Sequence, residues 1–154
     1  MGSHPVTIVV KVRALVGKDK IVLQGRRYPP GWAGTEATTE IQIVPRPIGV
    51  EELGSTLLAF CNRVTSAESQ TDEDHRLAVL DAVQMKSDRA VARSMASVSL
   101  RFDESSVRLT PTKADGPGWQ YLDEHATTAM GPTARDLGAG FLDCLKLCQP
   151  AIEW

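Results

Sequence analysis

Few side chains in this sequence are placed to do chemistry. Cys144 and Cys148 are four apart, a spacing that sets two thiols on one face of a helix and can supply two metal ligands. Structural zinc needs four ligands. No second cysteine pair or histidine run accompanies these two, so they read as buried apolar thiols, as does Cys61 in the first half. His75 follows Asp72, Glu73 and Asp74, and His125 follows Asp123 and Glu124, so either can be a general base oriented by a carboxylate. Adjacency in sequence does not make that geometry, and neither has a nucleophile in a recognisable context; surface histidines are expected. Gly116-Pro117-Gly118 is not followed by Lys-Ser/Thr and does not open onto a helix, so it is no phosphate cradle. Arg26-Arg27 is too small a basic spot to bind nucleic acid.

Binding chemistry is better represented. Three acidic clusters, Asp72-Glu73-Asp74, Asp103-Glu104 and Asp123-Glu124, read by default as solvated turns and helix ends. The alternative is a carboxylate surface that steers a basic protein partner into register. Tyr28, Trp32, Trp119 and Tyr121 can anchor such a surface, and Tyr28 and Trp32 share one loop. Trp154 is either packed or a peripheral contact.

A chain of 154 residues is the size of one domain and can bury roughly 70% of its unfolded surface. With 42% hydrophobic and 23% charged residues it has an ordinary globular composition. A net charge of −2 gives no long-range pull toward nucleic acid or an anionic membrane. Met1-Gly2-Ser3-His4 is set aside as a possible expression remnant. The apolar runs are far shorter than the ~20 residues of a membrane span, and no signal peptide is visible. Three cysteines in no disulfide pattern suit a reducing compartment, so a cytoplasmic protein without metal or cofactor is expected.

The elements that must position these residues come from periodicity. Val6–Val12 and Ile21–Leu23 predict a hairpin through Gly17-Lys18-Asp19-Lys20. Residues 25–39 predict a loop, and Glu40–Val44 a third strand stopped by Pro45 and Pro47. Leu53, Leu57, Phe60, Cys61 and Val64 form the stripe of a helix over Val50–Val64. Residues 65–75 are polar. Beyond them a helical region with a break near Ser87 is expected, with Leu77–Met85 open to a strand reading. Residues 97–102, 107–110 and 119–122 alternate as strands, and a polar loop runs to Pro132. The last helix spans Thr133–Cys148, with Thr133 as its N-cap.

Two marks recur in order. Pro30-Gly31-Trp32 precedes Glu52-Leu53-Gly54, and Pro117-Gly118-Trp119 precedes Asp136-Leu137-Gly138. This degenerate repeat, about 5–65 and 96–149, predicts an α+β fold. An antiparallel sheet would be built from two pseudo-repeated hairpin–loop–strand–helix units, with helices packed on one face.

Val107-Arg108-Leu109-Thr110-Pro111-Thr112, a Gly-rich turn, an aromatic strand, and Asp136-Leu137-Gly138 running to Cys148 carry a further likeness. Over residues 97–148 the chain resembles bacterial immunity proteins of contact-dependent growth inhibition systems. The resemblance implies a protein that is not an enzyme. It would bind and block the C-terminal toxin domain delivered by a neighbouring cell, commonly a nuclease, as a monomer forming a 1:1 heterodimer. That family shares no catalytic residues, so none is transferred. A basic nuclease groove would suit the acidic clusters above. The runner-up is a small enzyme or ligand-binding domain using the Tyr28–Trp32 loop or His125, which requires a concave pocket there. A third reading is a subunit whose aromatic loops mediate homo-oligomers.

Overall fold

The sheet grows outward from a central antiparallel pair, β1 (Val9–Val16) and β5 (Ala96–Phe102). Beyond β1 lie β2 (Lys20–Tyr28), β3 (Glu36–Pro45) and the two-residue β4 (Ser69–Gln70). Beyond β5 lies β6 (Ser106–Asp115). Its outer edge is shared by β8 (Thr127–Met130) near its start and β7 (Gly118–Tyr121) near its end. The computed structural model describes residues 8–31 and 33–154, and the pairings among these eight strands are all antiparallel. Among the described residues four α-helices complete the fold: α1 (Val50–Thr65), α2 (Asp72–Val83), α3 (Asp88–Ser94) and α4 (Ala134–Leu145). The expected α+β class with an antiparallel sheet is the observed one.

One face of the sheet holds the main core. Val10, Val12, Ala14 and Val16 of β1 meet Leu53, Leu57, Phe60 and Val64 of α1 and Leu137, Phe141 and Leu145 of α4. Burying each large side chain of this kind stabilises the fold by roughly 1.5–3 kcal/mol. The two helices touch where the acidic-Leu-Gly marks lie. A Cβ on Gly54 would fall 1.6 Å from the carbonyl oxygen of Ala134, and one on Gly138 would fall 1.9 Å from that of Val50. Each glycine lies four residues into its own helix and against the first residue of the other. Glycine lets the backbones approach this closely.

α1 and α4 pack on one face as expected, but α2 and α3 lie against the other. Leu15 and Val22, of opposite parity to the main core, join Val79, Leu80, Val83, Val91 and Met95 in a second cluster. The cause is legible in the strands: Ala14-Leu15-Val16 and Ile21-Val22-Leu23 are unbroken apolar runs, as strands buried on both faces require. Call the α1/α4 side the inner face and the other the outer face.

Other boundaries also shift. Residues 25–28 continue β2 and residues 36–39 open β3, so the expected loop contracts to 29–35. Gly25 breaks no strand; a Cβ there would lie 2.2 Å from a Val64 methyl, so its bareness admits α1. The Thr38 hydroxyl bonds the Gly25 carbonyl at 2.7 Å and fastens β3 alongside. The helical reading of 77–95 holds, with its break where expected: Gln84 adopts the left-handed conformation at φ 59°, and Ser87 caps α3. However, α2 begins earlier, at Asp72 behind the Thr71 cap. The polar stretch before Pro132 holds a 3-10 turn at Asp123–His125 and β8. Thr133 caps α4 as expected, its hydroxyl accepting from the Asp136 N–H at 3.1 Å. Trp32, and Val6 at the head of the first expected strand, lie outside the described residues.

Candidate functional site

Alternation along β1 sends Val10 and Val12 inward and therefore Lys11 and Arg13 outward. The register then sets like against like. Lys11 is the direct partner of Arg26 on β2 and of Arg101 on β5, and Arg101 is the partner of Arg108 on β6. Four adjacent strands thus carry Arg26, Lys11, Arg101 and Arg108 in one row across the outer face. At the usual strand spacing the row is about 14 Å long. Like charges directly opposite one another destabilise a sheet, so folding alone does not favour this arrangement.

Aromatic rings, more than carboxylates, hold these cations in place. The Arg101 guanidinium sits 5.1 Å from the ring centre of Tyr28, and Arg13 sits 5.2 Å from that of Trp119. Lys11 donates to the Tyr121 phenol oxygen, which also accepts from Arg13 at 3.3 Å. β5 and β6 lie between Lys11 and Tyr121 in the strand order, so β7 curls over the outer face to make this contact. Burial raises the Tyr121 phenol pKa, but the hydrogen bonds and charges of Lys11 and Arg13 outweigh it, and the net shift is downward. Among the described residues, Lys11, Arg13 and Arg108 reach no carboxylate. Carboxylates meet only two members of the row: Asp72 meets Arg26, at one end, at 2.9 Å, and Asp103 meets Arg101 at 3.8 Å.

Two of the hollows on this face adjoin the row. One of about 250 Å³ is lined by Lys11, Arg13, Gln24, Arg26 and Thr35. A second, about 190 Å³, continues under α2 and α3 past His75, Leu80 and Trp119. Trp119 Nε1 is buried without an acceptor among the described residues. Arg26 and Arg27 do not form one basic spot, since successive strand residues point to opposite faces. Arg27 turns to the inner side, where it bonds the Val64 and Thr65 carbonyls at the end of α1 and pairs with Glu36 at 2.6 Å. The Arg27 hydrogen bond outweighs desolvation and holds the Glu36 carboxyl below its usual range.

His75 is only 4% exposed, with both ring nitrogens engaged: Nδ1 with the Thr38 carbonyl at 2.9 Å and Nε2 with the Gln24 amide at 2.8 Å. A carbonyl only accepts, so Nδ1 carries the proton. Desolvation lowers the His75 pKa against the opposing Thr38 bond, leaving the ring neutral. Nε2 is then an acceptor facing the atom placed as Gln24 Oε1, and the neutral ring requires the Gln24 amide turned so that its nitrogen donates here. No lone pair is left for a general base. The expected surface histidine is instead a buried strut between α2 and the sheet.

The three acidic clusters occupy three separate elements. Asp72, Glu73 and Asp74 form the first turn of α2, where Glu73 pairs with Arg76 at 3.1 Å. Asp103 and Glu104 lie in the β5–β6 turn, and Asp123 and Glu124 in the 3-10 turn. His125 is half exposed, 3.9 Å from Glu124, and lines a hollow of about 260 Å³ with Thr127, Asp136, Asp143 and Cys144. Tyr28 ends β2 under Arg101, so it is part of the cationic row's support. Cys144 and Cys148 are buried, Cys148 Sγ facing the Ser97 carbonyl at 3.4 Å, and no metal-binding cluster occurs among the described residues. Burial pushes the Cys61 thiol up to about 12. No helix among the described residues is long and apolar enough to cross a membrane.

The fold recurs in solved structures. A Neisseria meningitidis protein of unknown function matches with a TM-score of 0.70 at 15% identity, over 97% of this chain and 99% of that one. A chain of the CdiA-CT/CdiI toxin and immunity complex from Yersinia pseudotuberculosis matches with a TM-score of 0.70 at 11% identity, over 92% of this chain and 98% of that one. Identities this low show a shared fold. No family model matches the chain, and no curated protein matches it in sequence.

Proposed function

We propose that this chain is an immunity protein that binds and neutralises the toxin domain of a contact-dependent growth inhibition system. The carrying observation is that its fold runs, nearly end to end, with a chain of a toxin and immunity complex. The sequence resemblance over residues 97–148 supports the same reading through different features. On it, the protein acts by occupancy, not catalysis. One copy covers the working face of one toxin domain, commonly a nuclease, and excludes its substrate. The carboxylates of the α2 start, the β5–β6 turn and the 3-10 turn are the groups offered to basic surroundings of such a groove.

Co-expression tests this. Cells making the toxin domain encoded beside this chain's gene should survive only when the chain is also made, and the two should co-purify. Death in its presence, with no complex, would overturn the proposal. The hollow beside His125 favours a second reading, a small-ligand domain, in which His125→Ala would abolish ligand binding and the toxin would be ignored.

A further inference from the structure

We infer that the row Arg26–Lys11–Arg101–Arg108 is a docking surface for an acidic segment of the protein partner. This rests on the immunity reading and adds to it a contact of the opposite sign to the acidic clusters. The sequence hides the row. Its members are scattered over four strands in a chain whose net charge is −2, and only the strand register collects them. Like-charge cross-strand neighbours cost stability unless something anionic meets them. Within the fold that need is met only in part. Asp72 is 82% exposed and satisfies Arg26 alone, and Asp103 stands at 3.8 Å from Arg101.

The site is also preorganised for an anion. Tyr28 and the Tyr121 phenol hold Arg101 and Lys11 where they stand, so less side-chain freedom is lost on binding. With its oxygen accepting from two cations, Tyr121 keeps its own O–H to donate. The neighbouring hollow of about 250 Å³ gives an incoming side chain depth beside Lys11 and Arg26. Arg101 and Arg108 remain exposed for first encounter.

Length and surroundings select the class of partner. A row of about 14 Å, with Asp72 at its Arg26 end and Asp103 beside Arg101, suits a short extended stretch bearing a few Asp or Glu side chains. A longer nucleic-acid strand would run past Arg26 into Asp72, and neutralising so few phosphates gives little binding at physiological salt. Alternating signs along one surface also fix register and reject wrong partners.

The test compares wild type with two variants, Arg101→Gln/Arg108→Gln, which touches only exposed side chains, and the same pair with Lys11→Gln. Association with the adjacent-gene toxin domain is measured by stopped flow across a salt series, with circular dichroism confirming the fold. The expected result is an association rate at least about tenfold lower in the triple variant, with the double variant between, and a flatter salt dependence. Unchanged rates and salt dependence in variants of a wild type that binds toxin would overturn this inference and leave the immunity reading standing. A wild type that binds no toxin would overturn both. A labelled single-stranded oligonucleotide forms the last arm. Row-dependent capture of it, with toxin association unaffected, would assign the row to nucleic acid and also overturn the inference.

Discussion

Adding one methyl group at Gly54 tests how the two halves of the molecule are joined. In an exposed helix, Gly→Ala stabilises by about 1 kcal/mol, because alanine loses less backbone freedom on folding. At Gly54 the new Cβ would lie 1.6 Å from the Ala134 carbonyl oxygen, whereas real Cβ atoms keep about 3.0 Å. α4 must therefore retreat from α1 by more than an ångström. The neighbour is backbone, so no flexible side chain can absorb the collision. Leu53, Leu57, Leu137 and Phe141, all fully buried at this crossing, would lose contact together. Overpacking of well-packed sites costs about 1–3 kcal/mol, and a backbone neighbour puts this site at the upper end, so a net loss of roughly 2 kcal/mol is expected after the helix-propensity gain. For a chain of this size that lowers Tm by roughly 4–8 °C. Thermal unfolding by circular dichroism reads the effect, with Gly138→Ala expected to match because its Cβ would meet the Val50 carbonyl at 1.9 Å. Gly140→Ala is the internal control: nothing lies within 4 Å of its Cβ, so Tm should rise slightly. The double variant should cost less than the sum, since either change opens the same crossing. If Gly54→Ala and Gly138→Ala raise Tm as Gly140→Ala does, the close helix contact does not exist.

Three further outcomes are expected. His75 titrates lower in the folded chain than its ordinary 6.5, so the unfolded chain binds more protons in the window just below that value. Stability should be fully present above about pH 6.5 and decline as pH falls toward the folded value; urea unfolding of His75→Gln against pH should lack that component. Arg27→Ala should cost about 1.5–3 kcal/mol in urea unfolding, since it removes a half-buried charge-assisted pair and two carbonyl contacts at the end of α1. The Cys61 thiol, raised to about 12 by burial, should resist alkylation at pH 8 in the native protein and react fully in urea, as mass spectrometry would show.

What could be read from the chain follows from which signals are local. α1 and α4 carry clean apolar stripes, and their predicted starts fall within a residue of those observed. Thr133 is the N-cap expected of it, and the break expected near Ser87 falls there, with Ser87 capping α3. Gly25 misled because a glycine in a strand looks like a breaker, and only the position of Val64 reveals a close approach. The second helical face is legible in Ala14-Leu15-Val16 and Ile21-Val22-Leu23, whose unbroken apolarity marks strands buried on both faces. β8 carries no apolar alternation, so nothing local marked it. The cationic row lay beyond sequence reasoning. Arg26 looks like half of a dipeptide with Arg27, and Lys11, Arg101 and Arg108 become its neighbours only when β1, β2, β5 and β6 align. The acidic clusters, contiguous in the chain, were conspicuous for the opposite reason.

The immunity reading is tested most directly by calorimetric titration of the purified chain with the toxin domain encoded beside its gene. A saturable complex of one copy to one toxin domain, with the toxin's activity lost at equivalence, is the predicted result. No heat of binding and an undiminished toxin at excess chain would contradict it.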